Sequence, residues 1–249
     1  MFLQLRIVVS TVLVIFSLFV FGGCGDDDPV SSGSTGDTDT TGTIRDFDGN
    51  FYQTVKIGDQ WWMAENLKAT HYRNGDEVPI ISEDATWRDL ISGACCAHSN
   101  DIQNVNTYGR LYNWYAVDDS RKLAPTGWHV PTDAEWKQLE MYLGMSQAEA
   151  DRDTDYRGGD EGGKLKYSGP GYWTNPNAGA TDESGFSALP GGSRSGGNFF
   201  NLNTYCFFWT SSEDDSFNAW TRGLYYDTAG IYRAAYDKTS GYSVRCVKD

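Results

Sequence analysis

The chain has 249 residues and a mass of 27.7 kDa, with nine Trp, 15 Tyr, 12 Phe and 28 Gly. That length holds one full domain or two small ones and argues against a multidomain enzyme. A net charge of −14 and a pI ≈ 4.5 argue against nucleic acid as a partner, because that affinity comes from Lys and Arg displacing counterions. With 39% hydrophobic residues and a mean hydropathy of −0.51, the chain has enough apolar side chains for a core but not for a multi-span membrane protein.

Met1 to Arg6 carries one basic residue, and an apolar run follows from Ile7 to Phe21 and stops at Gly22-Gly23-Cys24. The run is short for a bilayer crossing of about 20 residues and fits a secretory leader. Phe21-Gly22-Gly23-Cys24 resembles a bacterial lipobox, so residues 1–23 are expected to be a signal peptide and Cys24 the lipid attachment site. After Cys24, residues 25–43 of the 24–43 stretch are Ser, Thr, Gly and Asp with one Pro and a single Val, a composition that cannot repay its ordering entropy by burial and therefore reads as a tether. Asp26-Asp27-Asp28 is similar to the acidic export tag of surface lipoproteins in the Bacteroidota. The expected location is the outer membrane, on the cell surface, with its periplasmic face as the alternative. A merely solvated acidic linker is the plainer reading of the same residues.

The expected globular domain is 44–249. Ile44–Phe47, Phe51–Ile57 and Gln60–Met63 alternate apolar and polar residues around turns at Asp48-Gly49-Asn50 and Gly58-Asp59, which predicts antiparallel hairpins. Spacing across Tyr108–Val117 predicts a helix. Thr132 followed by Glu135 is a capping box that predicts a second helix, with Trp136, Leu139 and Leu143 as its apolar stripe and Gly144 as its stop. Beyond Gly144, Gly, Pro and Asn punctuate the chain, and Ala219–Tyr226, Ile231–Tyr236 and Tyr242–Val247 read as a strand meander. Two early helices and late strands make an α+β domain.

Seven ordered blocks, at 48–79, 107–117, 124–136, 160–166, 183–192, 207–213 and 241–247, together resemble the Fibrobacter succinogenes major paralogous domain. Val130-Pro131-Thr132-Asp133-Ala134-Glu135-Trp136, the late Trp209-Thr210-Ser211-Ser212 and the terminal Val244-Arg245-Cys246 are also similar to the formylglycine-generating-enzyme group. The resemblance implies a C-type-lectin-like fold, with two helices packed on antiparallel sheets and the two termini paired. It implies no particular activity, since a shared fold does not settle function.

After Cys24, four cysteines remain: Cys95, Cys96, Cys206 and Cys246. An exported chain favours oxidation, and adjacent Cys95 and Cys96 cannot bond each other without strain, so Cys246 with one of them is the preferred pair, buried thiols being the alternative. Relatives carry a cysteine where this chain has Ala124, so a bridge from that position is excluded.

Only His71, His98 and His129 are present, and neither GxSxG nor HExxH occurs. His129, ahead of the capped helix, reads as a packed structural residue. Asp151, Asp153 and Asp155 alternate as calcium ligands do, but Tyr156 and Gly162 occupy the glycine and glutamate positions of an EF-hand, so a solvated loop is favoured and no metal or other cofactor is expected. The aromatic surplus Trp209, Trp220, Tyr225, Tyr226, Tyr232 and Tyr236 crowds the late strands. Alternate members of a strand face opposite sides, so some rings are candidates to stack on sugar rings or on a protein, with Trp209, Trp220, Tyr225 and Tyr232 the chosen ligand residues. Ordinary sheet packing is the plainer reading. The expected function is a tethered domain that binds polysaccharide or a surface protein without chemistry. The rivals are an enzyme, formylglycine-generating-like or carbohydrate-active through a carboxylate pair, and a structural envelope component.

Overall fold

A computed structural model describes residues 40–153 and 155–249. The leader, Cys24, the tether to residue 39 and the side chain of Asp155 lie outside the described residues. The first hairpin forms as the sequence predicts, with β1 (Thr41–Arg45), β2 (Phe51–Ile57) and β3 (Gln60–Met63) antiparallel in turn. β1 starts inside the stretch read as tether, because Thr41, Gly42 and Thr43 find partners in Val55, Thr54 and Gln53.

The predicted helix over Tyr108–Val117 does not form as one piece. After α1 (Asp84–Arg88), β4 (Cys95–Cys96) and one 3-10 turn, α2 (Gln103–Tyr108) ends at Gly109, whose φ of 72° is left-handed. A Cβ at Gly109 would also meet Asn66 Cβ at 2.6 Å, so the backbone there is both turned and crowded. The chain then pairs with β4 as β5 (Leu111–Tyr112) and re-enters a helix, α3 (Trp114–Val117), capped by Asn113.

After β6 (Trp128–His129) the capping box works as read. The Glu135 amide donates to Thr132 Oγ1 at 3.2 Å and the Thr132 amide to Glu135 Oε2 at 2.8 Å, opening α4 (Asp133–Tyr142). Gly144, at φ 125°, closes the helix with paired bonds from the Gly144 amide to Met141 and from the Met145 amide to Glu140. α5 (Gln147–Ala150), β7 (Asp155–Arg157), α6 (Glu161–Leu165), β8 (Gly191–Ser195) and β9 (Asn198–Leu202) follow. The meander is then β10 (Tyr205–Glu213), β11 (Asn218–Tyr225) and β12 (Ile231–Asp237), and β13 (Val247–Lys248) ends the chain.

One sheet has the order β1-β2-β3-β13-β6, and in it Val247 pairs with both Trp62 and His129. The expected last strand of the meander therefore leaves its neighbours and joins the N-terminal hairpin. The other large sheet is β7-β12-β11-β10-β8-β9, antiparallel except where β8 meets β10. Phe207 and Trp209 of β10 enter one core with Tyr112, Trp114 and Tyr242, while Cys206 and Phe208 enter a second with Trp136 and Leu139 of α4. Both faces of the central strands are covered, which is why residues 206–210 form an unbroken buried run. The domain is mostly strand with few helices, and among the described residues no helix is long and apolar enough to cross a membrane.

Candidate functional site

The two faces of the large sheet sort the aromatic residues. On β11, Thr221, Gly223 and Tyr225 share a side, and their register partners on β12, Ala234 and Tyr232, face the same way. Tyr156 of β7 is the partner of Tyr232, and Tyr205 of β10 is the partner of Tyr225. Four adjacent strands thus bring Tyr156, Tyr232, Tyr225 and Tyr205 into one row.

The rings touch along that row. Tyr156 lies 5.7 Å from Tyr232 and 5.0 Å from Tyr225, Tyr225 lies 5.8 Å from Tyr232, and Tyr205 sits 4.2 Å from Tyr225. Tyr236 extends the row from Tyr232 at 6.5 Å. Tyr156 is 42% exposed, Tyr205, Tyr232 and Tyr236 are half-buried, and Tyr225 is the buried centre. The edge-to-face and tilted arrangements place ring edges against ring faces, the favourable geometry for aromatic quadrupoles. Gly223 makes room beneath them, since a Cβ there would meet Phe207 and Tyr225 ring carbons at 3.0 Å. Burial, reinforced by the neighbouring tyrosines, pushes the Tyr225 and Tyr236 hydroxyls well above the usual phenol range. Both stay protonated at neutral pH and can donate as well as accept.

Of the four chosen ligand residues, Tyr225 and Tyr232 belong to this row and the tryptophans do not. Trp209 is fully buried, its indole N–H donating to the Tyr112 carbonyl at 2.8 Å and its ring 4.7 Å from Tyr242. It shares the tyrosines' face but lies under the core, so it cannot meet a ligand. Trp220 shares the opposite side of β11 with Arg222, and the Arg233 guanidinium covers its ring at 3.7 Å. Tyr226 lies in the turn just past β11, packed against the second core with its ring 6.4 Å from Tyr205. The sequence reading missed Tyr156 and Tyr205. Tyr205 had a readable signal, a tyrosine at the start of a strand, whereas Tyr156 drew attention only as a misfit in a calcium loop.

Of the three loop carboxylates, Asp151 accepts from Lys137 Nζ at 2.8 Å and from Gln147, Asp153 is exposed, and the side chain of Asp155 lies outside the described residues. His129 is held between two carboxylates, Nε2 to Glu135 at 2.8 Å and Nδ1 to Asp249 at 2.7 Å. Partial burial opposes the imidazolium, but these two partners outweigh it and raise the pKa. Asp133 and Glu140 of α4 share Arg222, and Glu140 also pairs with Arg157 and Asp133 with Arg233. Burial opposes ionisation of Asp133, yet Arg233 and Arg222 hold it far below the usual carboxylate range, which leaves no proton for acid catalysis.

The expected bridge between Cys246 and Cys95 or Cys96 is not formed, and all four described cysteines are buried thiols. Neighbouring Cys95 and Cys96 enter different cores, Cys206 a third, and Cys246 the one that holds Cys95. Burial pushes Cys96 up to about 11 and Cys95 and Cys206 up to about 12, so none is a thiolate nucleophile at neutral pH.

The model of the Fibrobacter succinogenes major domain matches residues 55–248, and the chain belongs to that family. Neither a curated protein nor a solved structure matches it.

Proposed function

We propose that this member of the Fibrobacter succinogenes major domain family is a lipid-anchored binding module whose tyrosine row stacks on a polysaccharide. One observation carries the reading: tyrosines from four adjacent strands pack into one row, with Tyr156 exposed and Tyr205 and Tyr232 half-buried around Tyr225. At a strand spacing of ~4.8 Å the row is about 14 Å long, enough to lie along several linked sugar rings. Ring faces suit the apolar face of a sugar, and protonated hydroxyls at their rims suit its hydroxyl groups. The acidic chain would repel an anionic polymer, which favours a neutral one.

Acylation of Cys24 ties the module to the outer membrane through the Ser/Thr/Gly/Asp tether, on the cell surface in this reading. Pairing of the first hairpin with β13 agrees with the C-type-lectin-like architecture that the sequence blocks imply.

A glycan array probed with the full-length chain tests the function. Tyr156→Ala and Tyr232→Ala are expected to weaken polysaccharide retention at least about tenfold, since a stacked aromatic contributes ~1.5 kcal/mol or more. Retention that ignores both substitutions would refute the site. Labelled palmitate must enter the wild-type chain and not Cys24→Ser, and protease shaving of intact cells must remove the domain if it faces outward.

A further inference from the structure

A second concave surface lies apart from the tyrosine row. The segment from Ser168 to Asn177 and the turn at Asn203 enclose a groove of ≈ 800 Å³, within the ~300–1,000 Å³ range of small-ligand pockets. Tyr172 stands in its wall, edge-on to Tyr167 at 5.5 Å and to Tyr108 at 6.4 Å. Trp173 is buried below, its indole N–H donating to the Ala188 carbonyl at 3.0 Å. In a chain of net charge −14, no charged side chain among the described residues lines this groove.

The groove is held in shape. Thr174 and Ala178 donate their amides to the Asn203 and Tyr226 carbonyls, both at 2.7 Å. Lys166, fully buried, donates to the carbonyls of Ala178 at 2.8 Å, Tyr225 at 2.9 Å and Thr228 at 2.8 Å, fastening the segment to the end of β11. A cavity fixed in this way loses little conformational entropy when a ligand enters.

Beside the hydroxyls of Ser168, Tyr172 and Thr174, the polar side chains of the groove are amides. The Tyr108 hydroxyl donates to Asn203 Oδ1 at 2.7 Å, which fixes that side chain and leaves its Nδ2 donors without a protein partner among the described residues. Asn175 is exposed on the rim, and Asn177 Oδ1 is a buried acceptor with no donor in the protein. Carboxamides combined with an aromatic wall match a ligand that carries hydroxyl groups and no charge. A peptide fits less well, because the lining segment from Ser168 to Asn177 runs as turns and bends with Pro170 and Pro176 in it, not as an extended strand edge that could take strand addition.

We infer that the groove walled by Tyr172 and Asn203 binds a neutral saccharide, independently of the tyrosine row. The test uses the full-length chain carrying Tyr156→Ala and Tyr232→Ala together, so that the row is disabled. Titration calorimetry with gluco-, manno-, xylo- and galacto-tetrasaccharides, and with a tetragalacturonate, is expected to show one or more neutral sugars binding and the uronate failing. Adding Tyr172→Ala or, separately, Asn203→Asp should weaken that binding at least about tenfold while the thermal midpoint stays unchanged. Either variant alone carries the test if the other fails to fold. The inference is overturned if no neutral tetrasaccharide binds the row-disabled chain, if the uronate binds as well, or if uncharged peptides bind in place of sugars. Sugar binding by the wild type that disappears in the row-disabled chain would leave the tyrosine row standing and remove the groove. The absence of binding in both chains would remove both.

Discussion

Glu140→Gln is the substitution to which the fold should be most sensitive. Glu140, Arg157 and Arg222 have side chains with no solvent exposure, and Glu140 Oε1 accepts from Arg157 Nη2 at 2.8 Å and from Arg222 Nε at 2.5 Å. Glutamine keeps the shape and one acceptor but removes the charge that compensates two guanidinium groups. Removing one partner of a buried ion pair costs ~3–5 kcal/mol, mostly because the other charge is left unpaired. Arg222 keeps Asp133 at 2.8 Å, whereas Arg157 keeps only the Ala150 carbonyl, so the lower end of that range, about 3 kcal/mol, is expected. For a domain of this size that is a fall of roughly 6–12 °C in Tm. Urea unfolding followed by tryptophan fluorescence measures it, with Glu149→Gln as the control, since the Glu149–Arg152 pair is exposed and worth less than about 1 kcal/mol. Arg157 follows Tyr156 on β7, so the variant should also loosen the edge of the tyrosine row. A loss below about 1 kcal/mol would refute the view that Glu140 anchors α4 and β7 electrostatically.

Two further outcomes are expected. The raised pKa of His129 gives the pair of contacts to Glu135 and Asp249 a stabilisation that is complete below ~6.5 and fades as pH rises through the folded-state value. His129→Asn should flatten the decline in stability on the alkaline side of pH 6.5, and an unchanged pH slope would remove this role. The four buried thiols should resist iodoacetamide in the native protein and react together on unfolding, without prior reduction. Native mass spectrometry showing a loss of two hydrogens would reveal a bridge and overturn the buried-thiol assignment.

Local signals in the sequence were as good as the bonds that make them. The Thr132–Glu135 box and the Asp-Gly turn are satisfied within a few residues, so α4 and the β1–β2 hairpin form where their residues place them. The helix expected over Tyr108–Val117 fails because what ends it is tertiary. Gly109 is pressed against Asn66 and Leu67, which are distant in sequence, and spacing along the chain carries no trace of that contact. β13 is a similar case: alternation marks Val247 as strand, but its partners Trp62 and His129 come from the first hairpin and from the middle of the chain, both far away in sequence.

The candidate site obeyed the same division. Alternation on β11 and β12 correctly puts Tyr225 and Tyr232 on a shared face once register is known, and it excludes Trp220 from that face. Depth is a different quantity from facing. Trp209 and Tyr232 share a side of the sheet, yet Trp114 and Tyr242 cover the first while the second reaches the edge of the core beside Tyr156. Which end of a covered face emerges depends on where the covering elements stop, and here the cover comes from α3 and the last loop, whose placement relies on remote contacts such as the Trp114 indole N–H to the Thr210 carbonyl at 2.9 Å. The groove is further still from sequence legibility, because its polarity reads only as a run of glycine, proline and asparagine until Lys166 and Asn203 give that run a fixed shape.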